Sequence, residues 1–217
     1  MMLNIIIHKS SERNRCRMPN QSYHHGDLKA ELIRMGLKLL DQEGYERFSL
    51  RKVAKACNVS QTAPYRHFKD KDELIAAIAM EATKEFDQSL KHALIKFPDD
   101  PKKQLKEMGI AYVDFFVKNP EYLRLLFFSD IKSKMSLDSR LAENHFVDGH
   151  PFHTFFSAVE RYKNNSPNET MVEKELMLYC WGLVHGISVL IANRDIPFEG
   201  DYFKLVSRII DSDKFLW

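Results

Sequence analysis

A short stretch in the first third of the chain places small polar side chains next to cationic ones. Gln61 and Thr62 can form hydrogen bonds with base edges, and Ala63 can contact the methyl group of thymine. Tyr65 carries a donor suited to phosphate oxygens, and Arg66 suits either bases or phosphates. These residue types indicate a surface that reads bases and holds a nucleic-acid backbone.

Caps and turn residues around this stretch predict the helices that present it. Ser49 is placed to accept the free N–H groups at the start of one helix, and Phe48 is placed to pack on Val53. Cys57 falls on the apolar face of that helix, so we expect a core residue without a redox role. Asn58 suits the left-handed residue through which the chain leaves the helix.

A third helix is predicted directly after this turn, over about 61–68. Ser60 is expected to cap it, and Pro64 confines its start because proline is tolerated only near the first turn of a helix. Phe68 is expected in the core, and His67 at a helix end or on a phosphate. Two helices joined so tightly cross steeply, so the third can enter a major groove as in a helix-turn-helix.

Longer helices are predicted on both sides of this unit. Apolar residues recur at helical spacing after Asp27, and this first helix is expected to end at Gly44. Asp70 and Glu73 form a capping-box pattern that opens a connecting helix over 71–97.

Residues 98–217 carry apolar helical patterns that predict a second helical bundle. Leu176, Leu183 and Leu190 repeat every seven residues in a long apolar helix, and a final helix is expected at about 202–210. Two terminal helices that are apolar on more than one side indicate a subunit interface.

The segment from Phe48 to Leu74 resembles the N-terminal domain of TetR-type transcriptional repressors. The shared motifs are Ala54 in the second helix, Val59-Ser60 at the turn, Tyr65-Arg66-His67-Phe68 closing the recognition helix, and Lys71 to Leu74 opening the next. The resemblance covers residues 23 to about 75 and implies a homodimer that binds double-stranded DNA. The predicted DNA-binding residues are Ser49, Arg51, Lys52, Ser60, Gln61, Thr62, Ala63, Tyr65, Arg66, His67 and Lys71.

A shorter motif, Trp181 to Gly186, is similar to the Trp…His-Gly signature of one TetR-type ligand-domain class. Trp181 and His185 are four residues apart, so they are neighbours on one helix face. Together with nearby aromatic residues they predict a site for a small-molecule effector, formed by Tyr112, Phe116, Phe127, Phe128, Trp181 and His185. A plain aromatic core, or a dimer seam along Gly182 and Gly186, are alternative interpretations.

Charge is distributed unevenly along the 217 residues, although the formal net charge is only +2. Residues 1–69 hold 13 Lys and Arg against 6 Asp and Glu, whereas the remainder holds 19 against 24. The N-terminal third is therefore the part expected to bind a polyanion. A hydrophobic fraction of 44% excludes the fibrous and wholly disordered classes.

Cysteine usage and hydropathy indicate the compartment. The cysteines are Cys16, Cys57 and Cys180. Their odd number and wide spacing argue against paired disulfides and favour a reducing cytoplasm. We expect no membrane anchor and no export signal, because the apolar run near the start is too short. Residues 1–22 are expected to form a flexible basic arm, and Met18 offers an alternative start that would leave residues 1–17 outside the native protein.

The sequence thus predicts an all-α protein with a helix-turn-helix domain over 23–70, the connecting helix over 71–97, and a ligand-binding and dimerisation domain over 98–217. The predicted function is a transcriptional repressor that binds a palindromic operator as a dimer and is released by the effector. No cofactor and no catalytic residue are expected, since no Gly-rich phosphate loop, nucleophile elbow or HExxH motif occurs.

Two other functions remain open at this point. The chain could be an enzyme or metal-sensing module that the helix-turn-helix domain localises on DNA, an idea supported only by His185 and by a cluster of His145, His150 and His153. We expect no metal there, because Gly149 and Pro151 indicate a loop or the start of a helix, so the three imidazoles need not lie on one helix face. A constitutive architectural protein without an effector would instead have a filled second core.

Overall fold

The computed structural model describes residues 28–128, 149–166, 170–193 and 200–211. Within these ranges the α-helices are α1 (Leu28–Arg47), α2 (Leu50–Ala56), α3 (Lys71–Ile95), α4 (Pro101–Lys118), α5 (Pro120–Leu123), α6 (Pro151–Asn164), α7 (Glu173–Ala192) and α8 (Tyr202–Ile210). A 3₁₀ helix (Ala63–Arg66) lies between α2 and α3, and a π-helical turn (Arg124–Phe128) continues α5. No strand occurs in the described ranges, so the predicted all-α class is confirmed. The predicted basic arm and residues 23–27 lie outside them.

The headpiece, residues 28–79, packs α1, α2 and the 3₁₀ helix against the first half of α3. Leu32, Val53 and Leu74 are fully buried in its core. The backbone breaks at Gly44 (φ +74°, ψ 171°), a conformation that glycine adopts without strain. The first helix therefore breaks at Gly44, where its end is predicted, and one more helical turn continues to Arg47.

Local signals around α2 behave as predicted. The Ser49 hydroxyl accepts the N–H of Lys52 at 3.4 Å and so caps the helix. Phe48 and Val53 are both buried in the headpiece core. Asn58 has φ +55°, the left-handed conformation expected at the exit.

The connecting helix α3 is shared by two cores. It has 25 residues and is about 38 Å long at roughly 1.5 Å per residue. The Asp70 carboxylate accepts the N–H of Glu73 at 2.9 Å, while the Glu73 carboxylate accepts the N–H of Lys69. Leu74, Ile75, Ile78 and Ala79 lie in the headpiece core, and Ala82, Phe86, Leu90 and Ala93 lie in the second core. A single helix therefore runs through both cores, and it ends at Ile95, two residues before the predicted end of the connecting helix.

The second core is built around α4, which packs on α3, α6, α7 and α8. Its buried polar groups are satisfied. The Thr154 hydroxyl donates to the Asp87 carboxylate and so joins α6 to α3. The buried Gln104 amide donates to the carbonyls of Leu94 and Pro98, which fixes the connection between α3 and α4.

The face of α7 turned away from the second core is apolar and open. Leu176 is buried and Leu183 is half-buried, but Leu190 is exposed and Leu178 is 76% exposed. Among the described residues α7 is also the one helix long and apolar enough to cross a membrane, a test that core helices of water-soluble proteins pass as well. The final helix α8 has the predicted range.

Candidate nucleic-acid interface and aromatic cluster

The recognition segment, residues 60–67, differs from the predicted third helix. Only Ala63–Arg66 is helical, and it is a 3₁₀ helix because its turns close through i to i+3 bonds, such as His67 N–H to the Pro64 carbonyl at 2.9 Å. Ser60 does not cap it. The Ser60 hydroxyl lies 3.2 Å from that of Thr62, which occupies the cap position without a side-chain cap bond. The predicted cap and the range 61–68 are therefore wrong.

The outer side of the recognition segment carries the predicted readout groups. Gln61, Thr62 and Arg66 are exposed, and Tyr65 is 52% exposed. Ala63 is half-buried. The exposed side therefore offers an amide, a hydroxyl, a phenol and a guanidinium, which together can reach base edges and phosphate oxygens.

The inner side of the segment is anchored in the headpiece core. Pro64 and Phe68 are buried, so the predicted core position of Phe68 is confirmed. The Val59 N–H donates to the Ala54 carbonyl at 3.0 Å and holds the turn against α2. Cys57 is buried as predicted, and burial raises the pKa of its thiol, which does not favour a reactive thiolate. A buried anchor beneath exposed polar groups gives the segment a fixed orientation.

Cations of α2 border the recognition segment. Arg51, Lys52 and Lys55 are exposed and, with Asn58, Val59 and Gln61, line a concavity of about 380 Å³. Lys52 also forms an ion pair with Glu43 at 2.6 Å. Among the described residues that line it there is no acid, so the concavity suits the phosphate backbone beside the bases that the segment would read.

Lys71 lies in a different setting from the other predicted contacts. Its ammonium lies 3.8 Å from the centre of the Tyr45 ring and donates to the Tyr45 carbonyl at 3.3 Å. The Tyr45 hydroxyl donates to Asp72 at 2.9 Å, and this bond raises the pKa of the phenol. Lys71 thus holds the end of α1 against the start of α3, and its phosphate contact stays a prediction. Sequence reasoning missed Tyr45, since no local pattern pairs it with α3. His67 is half-buried beside Phe68, with 6.4 Å between ring centroids.

The six residues predicted for an effector site come together at the second core, with Phe128 at the surface, where it is 55% exposed. The Tyr112 hydroxyl and His185 Nδ1 are hydrogen-bonded at 2.9 Å. Phe127 lies 4.6 Å and Phe128 lies 6.0 Å from the His185 ring, both measured between centroids. Phe116 packs on Tyr112 and Phe127, and Trp181 packs on the same two rings, at centroid distances of 5.1, 5.6, 6.0 and 6.4 Å. We call these residues the aromatic cluster.

Burial controls the ionisation of the cluster. It lowers the pKa of His185 and raises that of Tyr112, so both side chains are held in their neutral forms near neutral pH. Phe152 and Phe155 of α6 also contact Trp181, at 5.6 and 5.7 Å between ring centroids. Sequence reasoning left these two out because their distance along the chain gave no reason to pair α6 with α7. The cluster is thus a neutral, aromatic environment with one imidazole.

The histidines considered for a metal have separate surroundings. The His150 imidazole accepts the Phe152 N–H at 3.2 Å and caps α6, and His153 is half-buried on the next turn. His145 lies outside the described residues. In the part of the chain that the structure describes, no three His, Cys, Asp or Glu residues are grouped as metal ligands would be.

Residues 32–78 match the sequence profile of the family described as bacterial regulatory proteins, tetR family. The matched residues run from α1 to the middle of α3 and contain the whole candidate interface. The headpiece is a TetR-type DNA-binding domain. A relative of the TetR-type domain is HTH-type transcriptional regulator AcrR of Shigella flexneri, 32% identical over 100 residues. The match covers 46% of this chain and 46% of AcrR, so this chain spans about half the length of its relative.

Solved structures share the fold beyond the TetR-type domain. A protein with unknown function from Rhodococcus sp. RHA1 superposes with a TM-score of 0.68 at 23% identity, covering 88% of this chain and 96% of that one. The TetR family transcriptional regulator PfmR from Thermus thermophilus gives 0.63 at 22% identity, covering 83% and 91%. At such identities the similarity is one of fold, and it includes the second helical domain.

Proposed function

We propose that this chain is a ligand-responsive transcriptional repressor that binds a palindromic operator as a homodimer. The observation that carries the proposal is the recognition segment, whose polar groups face outward on a buried anchor within a TetR-type domain. Gln61, Thr62 and Ala63 are assigned to base reading, and Arg66 to bases or phosphates. Ser49, Tyr65 and Lys71 are assigned to phosphates, which set the register of the domain without reading sequence.

The charge distribution supports DNA as the partner. In the part of the chain that the structure describes, the concavity beside the recognition segment is lined by Arg51, Lys52 and Lys55 and by no acidic residue. Phosphate contacts by such side chains release counterions, so affinity should fall steeply with added salt. A partner of this kind also agrees with the cytoplasmic location inferred from the cysteines.

The open face of α7 supports the dimer. Leu178 and Leu190 are exposed there. A Cβ added at Gly182 or Gly186 would meet no atom of the described residues within 4 Å, so this stripe of α7 leaves room for a second helix to approach closely. Two headpieces related by a dyad would then place their recognition segments about 34–36 Å apart, or a multiple of it, in successive major grooves.

The aromatic cluster supports an effector of neutral and aromatic character. It is built of packed aromatic rings, and burial lowers the pKa of its one basic group, His185, which favours the neutral imidazole. An effector bound there would shift the spacing of the headpieces and oppose operator binding reciprocally, with a coupling of about 1–3 kcal/mol.

Selection of bound fragments from random double-stranded DNA tests the proposal most directly. We expect a palindromic consensus, bound by a dimer with an affinity that falls as salt is added. A monomer that ignores duplex DNA at low ionic strength would overturn the proposal. Once a consensus is known, Tyr65→Ala should weaken binding to all duplexes alike, whereas Gln61→Ala should change the preferred base. Identical effects of the two variants would contradict the division of roles.

A further inference from the structure

A groove runs along α4 between α3 and α8. Its floor is one stripe of α4 from Glu107 to Lys118, which is about 16 Å long. One wall is formed by residues 89–96 at the end of α3, and the other by Phe203 at the start of α8. The groove has a volume of about 340 Å³. It is separate from the aromatic cluster and from the recognition segment, since it shares no lining residue with either.

The middle of the groove is apolar. Ile110 and Phe115 of α4 are only 9% exposed each, whereas Phe203 remains 45% exposed at the edge. Ala93 and Ala111 contribute only methyl groups to the lining, so a large side chain has room to lie between α3 and α8. Covering the Phe203 ring would remove apolar surface from water, which favours an apolar occupant.

Each end of the groove carries an ion pair. At the near end, Lys96 Nζ lies 2.9 Å from Glu107 Oε2, and at the far end Lys118 Nζ lies 2.7 Å from Asp114 Oδ2. The formal charges of these four side chains cancel. The groove therefore suits an apolar segment that carries charges of both signs at one end, rather than a small ion.

Helix α8 brings the chain to the near end of the groove. It runs antiparallel to α4, because the Tyr202 hydroxyl donates to Asp114 at 2.9 Å while Asp211 pairs with Lys106 at 2.7 Å. Lys106 directly precedes the stripe that forms the floor. The next six residues in the sequence lie outside the described ranges, and fully extended they span about 20 Å, more than the length of the groove.

These six residues, 212–217, have a composition that matches the groove in order as well as in kind. They read Ser-Asp-Lys-Phe-Leu-Trp. Asp213 and Lys214 come first, so they can place one charge of each sign beside the ion pair at the near end. The three large apolar side chains of residues 215–217 follow, at the distance of the apolar middle.

We propose that residues 212–217 turn back after α8 and dock in this groove. The side chains of residues 215–217 pack on Ala111, Phe115 and Phe203, and the charged pair before them lies at the near end. The docked segment bridges α3 and α8 and covers the exposed ring of Phe203. This contact lies within one chain and needs neither DNA nor an effector, so it stands independently of the function proposed above.

A double-substitution cycle in the full chain tests the contact. Ala111→Glu places a carboxylate in the groove, and a serine variant (Phe215→Ser, Leu216→Ser and Trp217→Ser) removes the apolar side chains that dock there. Each change should lower the midpoint of urea unfolding. Because the contact can be lost only once, Ala111→Glu should shift the midpoint less than half as much in the serine variant as in the wild type.

Met80→Glu is the matched control for this cycle. It introduces the same carboxylate on a 67% exposed position of α3 that does not line the groove. Its shift of the midpoint should be the same in the wild type and in the serine variant. Equal shifts by Ala111→Glu in the two backgrounds would overturn the proposal.

Fluorescence quenching gives a second readout. Trp181→Phe leaves Trp217 as the sole tryptophan of the two in the chain. We expect acrylamide to quench Trp217 at least threefold less efficiently in this protein than after the further change Ala111→Glu, and equally at all protein concentrations. Equal quenching in the two proteins would contradict docking. Protection that appears only as concentration rises would assign the groove to the same segment of a second copy, which also overturns the proposal. The urea cycle does not require Trp181→Phe, so it decides the question if that variant fails to fold.

Discussion

Ser49 has a structural role and a predicted binding role, and one substitution separates them. Its hydroxyl caps α2, and an aspartate there would cap as well and would suit the positive end of the helix. The same carboxylate would repel DNA phosphates. We expect Ser49→Asp to keep the midpoint of urea unfolding and to weaken duplex binding about tenfold, roughly 1.4 kcal/mol. Ser49→Ala should lose about 1 kcal/mol of stability. If Ser49→Asp binds the duplex with wild-type affinity, Ser49 does not contact DNA.

His185 should make the stability of the protein depend on pH in a defined direction. Burial lowers its pKa below the ordinary value of 6.5, so the unfolded chain takes up a proton at a higher pH than the folded chain does. Acidification below about pH 6.5 therefore favours unfolding. Above that pH, the imidazole is neutral in both states and His185 adds no pH dependence to the stability. We expect the urea midpoint to fall more between pH 7.5 and 5.5 in the wild type than in His185→Gln. Equal falls would contradict the burial of this imidazole.

At the scale of elements, the approach of α1 to α3 depends on Gly36. A Cβ at this position would lie 2.9 Å from Ile78 Cδ1 and 3.4 Å from Leu74 Cδ2, both within the headpiece core. We expect Gly36→Val to destabilise the headpiece by about 1–3 kcal/mol in urea unfolding, because a filled core accepts added volume poorly. Gly36→Ala should lose less, since one methyl group requires only a small shift of Ile78. A valine variant as stable as the wild type would show that this contact is loose.

The elements differ in how far the sequence determines them. Ser49 and Asp70 act on N–H groups three residues away, so their caps were predictable from local spacing. The 3₁₀ form of Ala63–Arg66 depends on how the buried Pro64 packs, and local residues do not specify that packing. The π-helical turn Arg124–Phe128 lies between two cores and was not predicted at all.

The candidate sites show the same division. Spacing predicted that Trp181 and His185 share a face, because residues four apart on one helix are neighbours. Their contact with Tyr112, predicted from aromatic character alone, needed α4 and α7 to pack together. The ion pair between Asp41 and Arg124 joins residues 83 positions apart, so sequence spacing carried no signal for it.

At the scale of the whole molecule, the two cores have different partners. The headpiece belongs to the N-terminal third, where cations exceed acids, and it presents an exposed polar segment. The second core is aromatic and leaves one apolar helix face, on α7, uncovered in the described residues. Both cores share α3, so an event in one has a direct mechanical path to the other.

The dimer can be tested by placing one charged side chain on the uncovered face of α7. A two-fold interface contains each substituted position twice, so Leu178→Glu would bury two unpaired carboxylates and cost several kcal/mol. We expect this variant to sediment as a folded monomer at concentrations where the wild type is a dimer, and to lose its preference for palindromic duplexes. Ile95→Glu is the matched control, because Ile95 is 74% exposed but lies at the end of α3. It should leave both properties unchanged. A Leu178→Glu dimer that binds the palindrome as the wild type does would place the subunit interface elsewhere.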